Sequence, residues 1–177
     1  EEVLAYVPVA TKEHLNSAVE AARNALPSWS AKSLEERSEL ISNFAEKILE
    51  KKEELAQLLT MEQGKPLNFA MAELDMAIHW CRETAKYNLN SEVIEETDQY
   101  IVEKTYCPVG VIAAIVPWNF PIVLAMFKAP AALLAGNTII VKPSPYTPLG
   151  TLLLGELAQE IFPPGVFNVL SGDDHLG

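Results

Sequence analysis

"GVIAAIVPWNFP", residues 110–121, joins an apolar run to two prolines that bracket Trp118, Asn119 and Phe120. The run from Gly110 to Val116 carries no charge and lies between Pro108 and Pro117. A short, wholly apolar segment with such boundaries suits a strand buried on both faces of a parallel sheet. The sequence after it repeats the theme. An apolar helix is expected over 121–135, ended by Gly136-Asn137, and "TIIVK" (138–142) reads as a second buried strand. Pro148 opens another helix that runs through Ile161; "PPG" (163–165) then turns into a third strand, "VFNVL" (166–170). The order strand–helix–strand–helix–strand predicts right-handed crossovers and a parallel sheet with helices outside it, an α/β fold.

Upstream the period changes. "VLAYVPV" (3–9) reads as extended, after which Thr11 offers a helix N-cap with Glu13 in the first turn. "SLEE" (33–36) is a capping box, Ser33 answering Glu36. Leu40, Ile41, Phe44, Ile48, Leu55, Leu58 and Leu59 form one long amphipathic stripe that Gly64 and Pro66 stop. A further helix is expected over about 67–88, with Leu74, Ala77, Trp80, Cys81, Thr84 and Ala85 inward. "YIVEKTY" (100–106) alternates and is rich in strand formers. The chain therefore divides into a helical layer over about 11–88, a strand over about 99–106 and a parallel sheet unit over about 109–177. "SGDDHLG" (171–177) looks like the turn into another helix, so an incomplete fold, a fragment of a longer protein, is expected.

Bulk composition narrows the function. The chain of 177 residues has 13 basic and 24 acidic side chains, a formal net charge of −11. That argues against nucleic acid and against anionic membrane surfaces. Lys128 interrupts the longest apolar run before it reaches the ~18 residues of a membrane span. Cys81 and Cys107 lack metal-ligand spacing, and His14, His79 and His175 are scattered, so no metal site is expected. Free thiols in a reducing cytoplasm are the default.

In an open parallel sheet, ligands bind beyond the carboxyl ends of the strands. "PWNFP" and "KPSPYTP" (142–148) both occupy that position and both are stiffened by proline. Asn119 offers two N–H donors and cannot ionise. That suits a group that stabilises a transient oxyanion, although asparagine is also a common turn residue that bonds its own backbone. Lys142 ends a strand where its ammonium could meet a phosphate or ribose oxygen; the alternative is a stem that snorkels to solvent. Lys128, inside an apolar helix, needs either a carboxylate partner or a solvent-filled cleft. No GxGxxG follows the first strand, so the usual dinucleotide fingerprint is absent.

At "IVPWNFP", "APAALLAGNTIIVKPS" and "FPPGVFNVLSG" the sequence resembles an aldehyde dehydrogenase, and "PVAT…AVEAARNALPSWS" and "EQGKP" are similar to the family's opening part. The resemblance implies N-terminal helices packed on a Rossmann-like sheet, and oxidation of an aldehyde to an acid with hydride transfer to NAD or NADP. It makes Asn119 the side-chain half of an oxyanion hole. Val116, Pro117 and Trp118 match the loop along the cofactor, Lys142 and Ser144 the positions facing the adenosine ribose, and Lys128 a lysine near the active site. "YIVEKTY" resembles a strand of the hairpin through which family members form dimers or tetramers. Two departures stand out. The nucleophilic cysteine and general-base glutamate of the family belong to later sequence, and Cys81 and Cys107 match neither motif. A ribose-binding glutamate is replaced by Pro145. Two readings compete with the enzyme: a non-catalytic nucleotide-binding or interaction module, and an unrelated α/β enzyme that shares only the sheet.

Overall fold

The computed structural model describes residues 3–177. Four helices come first: α1 (Lys12–Ser30), α2 (Leu34–Glu50), α3 (Lys52–Gln63) and α4 (Leu67–Ala85). A two-stranded antiparallel hairpin follows, β1 (Glu92–Glu96) and β2 (Ile101–Lys104). The remainder alternates: β3 (Val111–Ile115), α5 (Pro121–Met126), α6 (Ala129–Leu134), β4 (Thr138–Lys142), α7 (Leu149–Gln159) and β5 (Phe167–Val169). The last three strands form a parallel sheet in the order β3-β4-β5, as the alternation predicts, and the fold is α/β. Among the described residues no helix is long and apolar enough to cross a membrane.

The helix starts follow from local chemistry. The Thr11 side chain accepts from the His14 backbone N–H, and Ser33 and Glu36 satisfy each other's backbone donors at 3.1 and 2.7 Å. Gly64 ends α3 with φ +77°, a left-handed cap that L side chains adopt poorly.

Two long helices of the sequence reading are each divided. The stripe from Leu40 to Leu59 breaks at Lys51, whose φ of −101° and ψ of 10° separate α2 from α3. The apolar helix over 121–135 breaks between Met126 and Ala129. Pro130 is the cause: it has no N–H for the carbonyl four residues back, and its ring clashes there. Lys128 therefore sits exposed at a break rather than inside a continuous helix, and among the described residues its ammonium reaches only the Leu124 carbonyl, at 3.5 Å. The helix expected over 67–88 ends at Ala85, and Trp80 is not inward; it is 40% exposed and lies against Phe127, 4.7 Å between ring centres. After β5 only a short 3-10 turn, Asp174–Leu176, occurs.

The helices and one face of the sheet share a core. Ala114, Ile139 and Val141 point into it with Ile122, Met126 and Leu154. Phe44 of α2 meets Phe162 and Phe167 edge-on, at 5.3 and 5.6 Å, and Phe162 meets Trp29 of α1. Burying an aromatic side chain contributes about 1.5–3 kcal/mol, so this cluster ties α1, α2 and the sheet together. Gly155 lets α7 press onto the sheet, since a Cβ there would sit 2.8 Å from Val169 Cγ2. The opposite sheet face meets α1, and there Leu15, Val19, Ala113, Ile115, Ile140 and Lys142 line an open hollow of about 460 Å³.

Candidate active site

Because β3, β4 and β5 are parallel, the three segments that follow them emerge at one edge. The first carries Val116, Pro117, Trp118 and Asn119; the second carries Lys142 and Ser144; the third is residues 170–173. Val116 is buried and its N–H donates to the Lys142 carbonyl at 3.0 Å, so the first two segments start side by side. Thr147 Oγ1 also lies 3.5 Å from the Trp118 carbonyl.

Trp118, Asn119 and Phe120 are exposed, while their backbone is held from below. Gln63 Nε2 donates to the Trp118 carbonyl, and Lys65 Nζ donates to the Asn119 carbonyl at 2.8 Å. Lys65 also lies 4.1 Å from the centre of the Phe120 ring and pairs with Glu73. Glu73 Oε1 in turn accepts from the N–H groups of Ile122 and Val123, at 3.0 and 3.2 Å. Those donors belong to the first turn of α5 and have no partner within the helix. The Asn119 carboxamide has no hydrogen-bond partner among the described residues, its own backbone included. The sequence reading of a side chain tied into its own turn does not describe this asparagine.

Lys142 is 8% exposed, so it does not snorkel. Its ammonium bonds the Pro143 and Gly172 carbonyls at 3.4 and 3.3 Å, beside the hollow on the α1 face. These are long contacts for a charged donor, and one of its three N–H groups remains for a ligand. Ser144 is half-buried; its hydroxyl accepts from the Tyr146 N–H at 3.3 Å and keeps its own proton to donate. Pro145 and Tyr146 are exposed. Below them Glu62 accepts from the N–H groups of Leu149 and Gly150 at the start of α7. Burial raises the Glu62 carboxyl above its ordinary value, against those two hydrogen bonds, which lower it.

Neither cysteine joins this edge as a nucleophile. Cys81 is buried in α4, and burial pushes its thiol up to about 12, which leaves it protonated at neutral pH. Cys107 is exposed in the segment between β2 and β3.

The pattern described as "Aldehyde dehydrogenase family" matches residues 1–177. The chain belongs to the aldehyde dehydrogenase family. That sets aside the reading of an unrelated α/β enzyme. The chain is 44% identical over 171 residues to the aldehyde dehydrogenase LUC3 of Fusarium sp., matching 97% of this chain and 36% of that protein. It is 40% identical to the NADP(+) succinate-semialdehyde dehydrogenase GabD of Escherichia coli, over 96% of this chain and 36% of that protein. The NAD+ complex structure of an aldehyde dehydrogenase from Bacillus cereus superposes with a TM-score of 0.93 at 38% identity, covering 97% of this chain and 36% of that one. The chain thus spans a little over one third of the relatives' length.

Proposed function

We propose that the chain is the N-terminal part of an NAD(P)-dependent aldehyde dehydrogenase that oxidises an aldehyde to a carboxylic acid, and that Asn119 is its oxyanion donor. The observation that carries the proposal is the state of Asn119: a clamped backbone, an exposed position at the carboxyl edge of the sheet and a carboxamide without an intramolecular partner. When a thiolate adds to an aldehyde carbon, the carbonyl oxygen becomes negative. An amide N–H held where that charge develops stabilises the transition state more than the ground state. The resemblance places the thiolate and the general base in later sequence, and the burial of Cys81 agrees with that division.

The residues at the edge fit a dinucleotide. The spare N–H of Lys142 and the hydroxyl of Ser144 suit ribose oxygens, and Val116, Pro117 and Trp118 provide a stiff wall beside them. Bound NAD or NADP supplies the hydride acceptor. Pro145 offers neither a carboxylate nor a backbone donor, so this loop has nothing that repels the 2′-phosphate of NADP. Acceptance of both cofactors follows.

The β1–β2 hairpin fits a contact between copies, since Val93, Ile94, Tyr100, Ile101 and Val102 are all exposed on it. A homodimer or homotetramer in the cytoplasm is the corresponding assembly. The test is the intact mass of the native protein together with aldehyde-dependent NAD(P)H formation. A subunit near the relatives' length that turns over aldehydes supports the proposal, and purified 1–177 should be inactive. A native subunit that ends near residue 177, or turnover by 1–177 that depends on Cys81 or Cys107, contradicts it.

A further inference from the structure

The Lys65–Glu73 pair does more at this edge than the packing of α4 requires. The Glu73 side chain is fully buried and that of Lys65 is 11% exposed. Removing two charges from water is costly, and an apolar pair of the same volume is often as stable or more so. Here both carboxylate oxygens and two of the ammonium's N–H groups are used to tie the Asn119 loop to the start of α5. Glu73 Oε1 takes the two free N–H groups at the start of α5, and Oε2 takes Lys65. Lys65 passes a second N–H to the Asn119 carbonyl and covers the Phe120 ring. The carbonyl of Asn119 and the N–H groups of Ile122 and Val123 are therefore joined through one ammonium and one carboxylate. The peptide plane after Asn119 cannot rotate without breaking the 2.8 Å bond, and that plane sets the backbone from which its side chain projects.

We propose that Lys65 is a positioning residue for Asn119, acting through the Asn119 carbonyl, with Glu73 holding Lys65 and the first turn of α5 in register. The inference rests on the oxyanion role of Asn119. Misplacing a catalytic group by about 1 Å can cost about 10²-fold in rate. Lys65→Met keeps the apolar stem and removes the ammonium, so turnover should fall about 10- to 100-fold while the cofactor KM stays within about twofold.

The test uses the full-length enzyme and a double-mutant cycle. If Lys65 acts through Asn119, Lys65→Met costs little more once Asn119→Ala is present, because the group it positions is gone. Lys65→Met alone leaves the Glu73 carboxylate buried without its cation. Lys65→Met/Glu73→Gln therefore serves as a second variant: it removes both charges and keeps an acceptor for the α5 donors. It should melt near the wild-type temperature and still turn over slowly. Wild-type turnover in that variant, or losses from Lys65→Met and Asn119→Ala that multiply independently, would overturn the inference and leave the oxyanion role standing. Near-normal turnover of Asn119→Ala alone would instead remove the reading on which it rests.

Discussion

The segments after β3 and β4 leave the same sheet edge and are both stiffened by proline, yet they are held in opposite ways. The first, with Trp118, Asn119 and Phe120, is gripped at its backbone by side chains from other elements, Gln63, Lys65 and Glu73. Its own side chains stay exposed. The second, with Ser144, Pro145 and Tyr146, is held mainly by itself: the Ser144 hydroxyl and carbonyl accept from Tyr146 and Thr147. Glu62 is its outside support, and it reaches α7 rather than the loop. A loop gripped from outside can present one side chain at a fixed point. A loop closed on itself fixes a contour and a local charge. The first arrangement suits chemistry and the second suits selection between cofactors.

The largest effect should come from charge reversal in the first segment. Asn119→Asp places a carboxylate against a developing negative charge, and full-length turnover should fall by about 10³-fold or more. Turnover measured under conditions where chemistry limits the rate checks this. In the second segment, Pro145→Glu should move the NAD:NADP ratio of kcat/KM toward NAD by roughly tenfold, mainly by weakening NADP. A wild-type enzyme that already rejects NADP by several orders of magnitude would place the discrimination elsewhere. The smallest effect concerns the support of the second segment. Burial raises the Glu62 carboxyl above 4.5, so the folded state holds this proton more tightly than the unfolded chain. Its contribution to stability then falls as pH rises through the window that starts near 4.5. Glu62→Gln should flatten that part of the melting-temperature profile against pH, with turnover little changed.

Much of this was legible because the strands are uniformly apolar. β4 is buried at every position, and its boundaries emerge from Gly136-Asn137 and Pro143 without any knowledge of tertiary contacts. β1 was not legible: "EVIEE" carries three glutamates and has no buried face to impose a period. The break at Lys51 has no glycine or proline to announce it. Pro130 did announce the break before α6, but the surrounding apolar run masked it. At the site, Asn119, Lys142 and Ser144 could be picked out by their place after the strands. Their supports could not, because "EQGKP" reads as a helix stop. One signal was available: Glu73 falls between Ala70, Leu74 and Ala77 on the buried stripe of α4. A carboxylate at such a position demands a partner.

The central claim is that Asn119 stabilises charge and does not merely shape a turn. Asn119→Ala in the full-length enzyme tests it most directly, with single-turnover NAD(P)H formation and cofactor dissociation measured on the same preparation. The account predicts a rate lower by about 10²–10³-fold with a cofactor dissociation constant within about twofold of wild type. A near-normal single-turnover rate, or a loss that appears wholly as weaker cofactor binding, would contradict it.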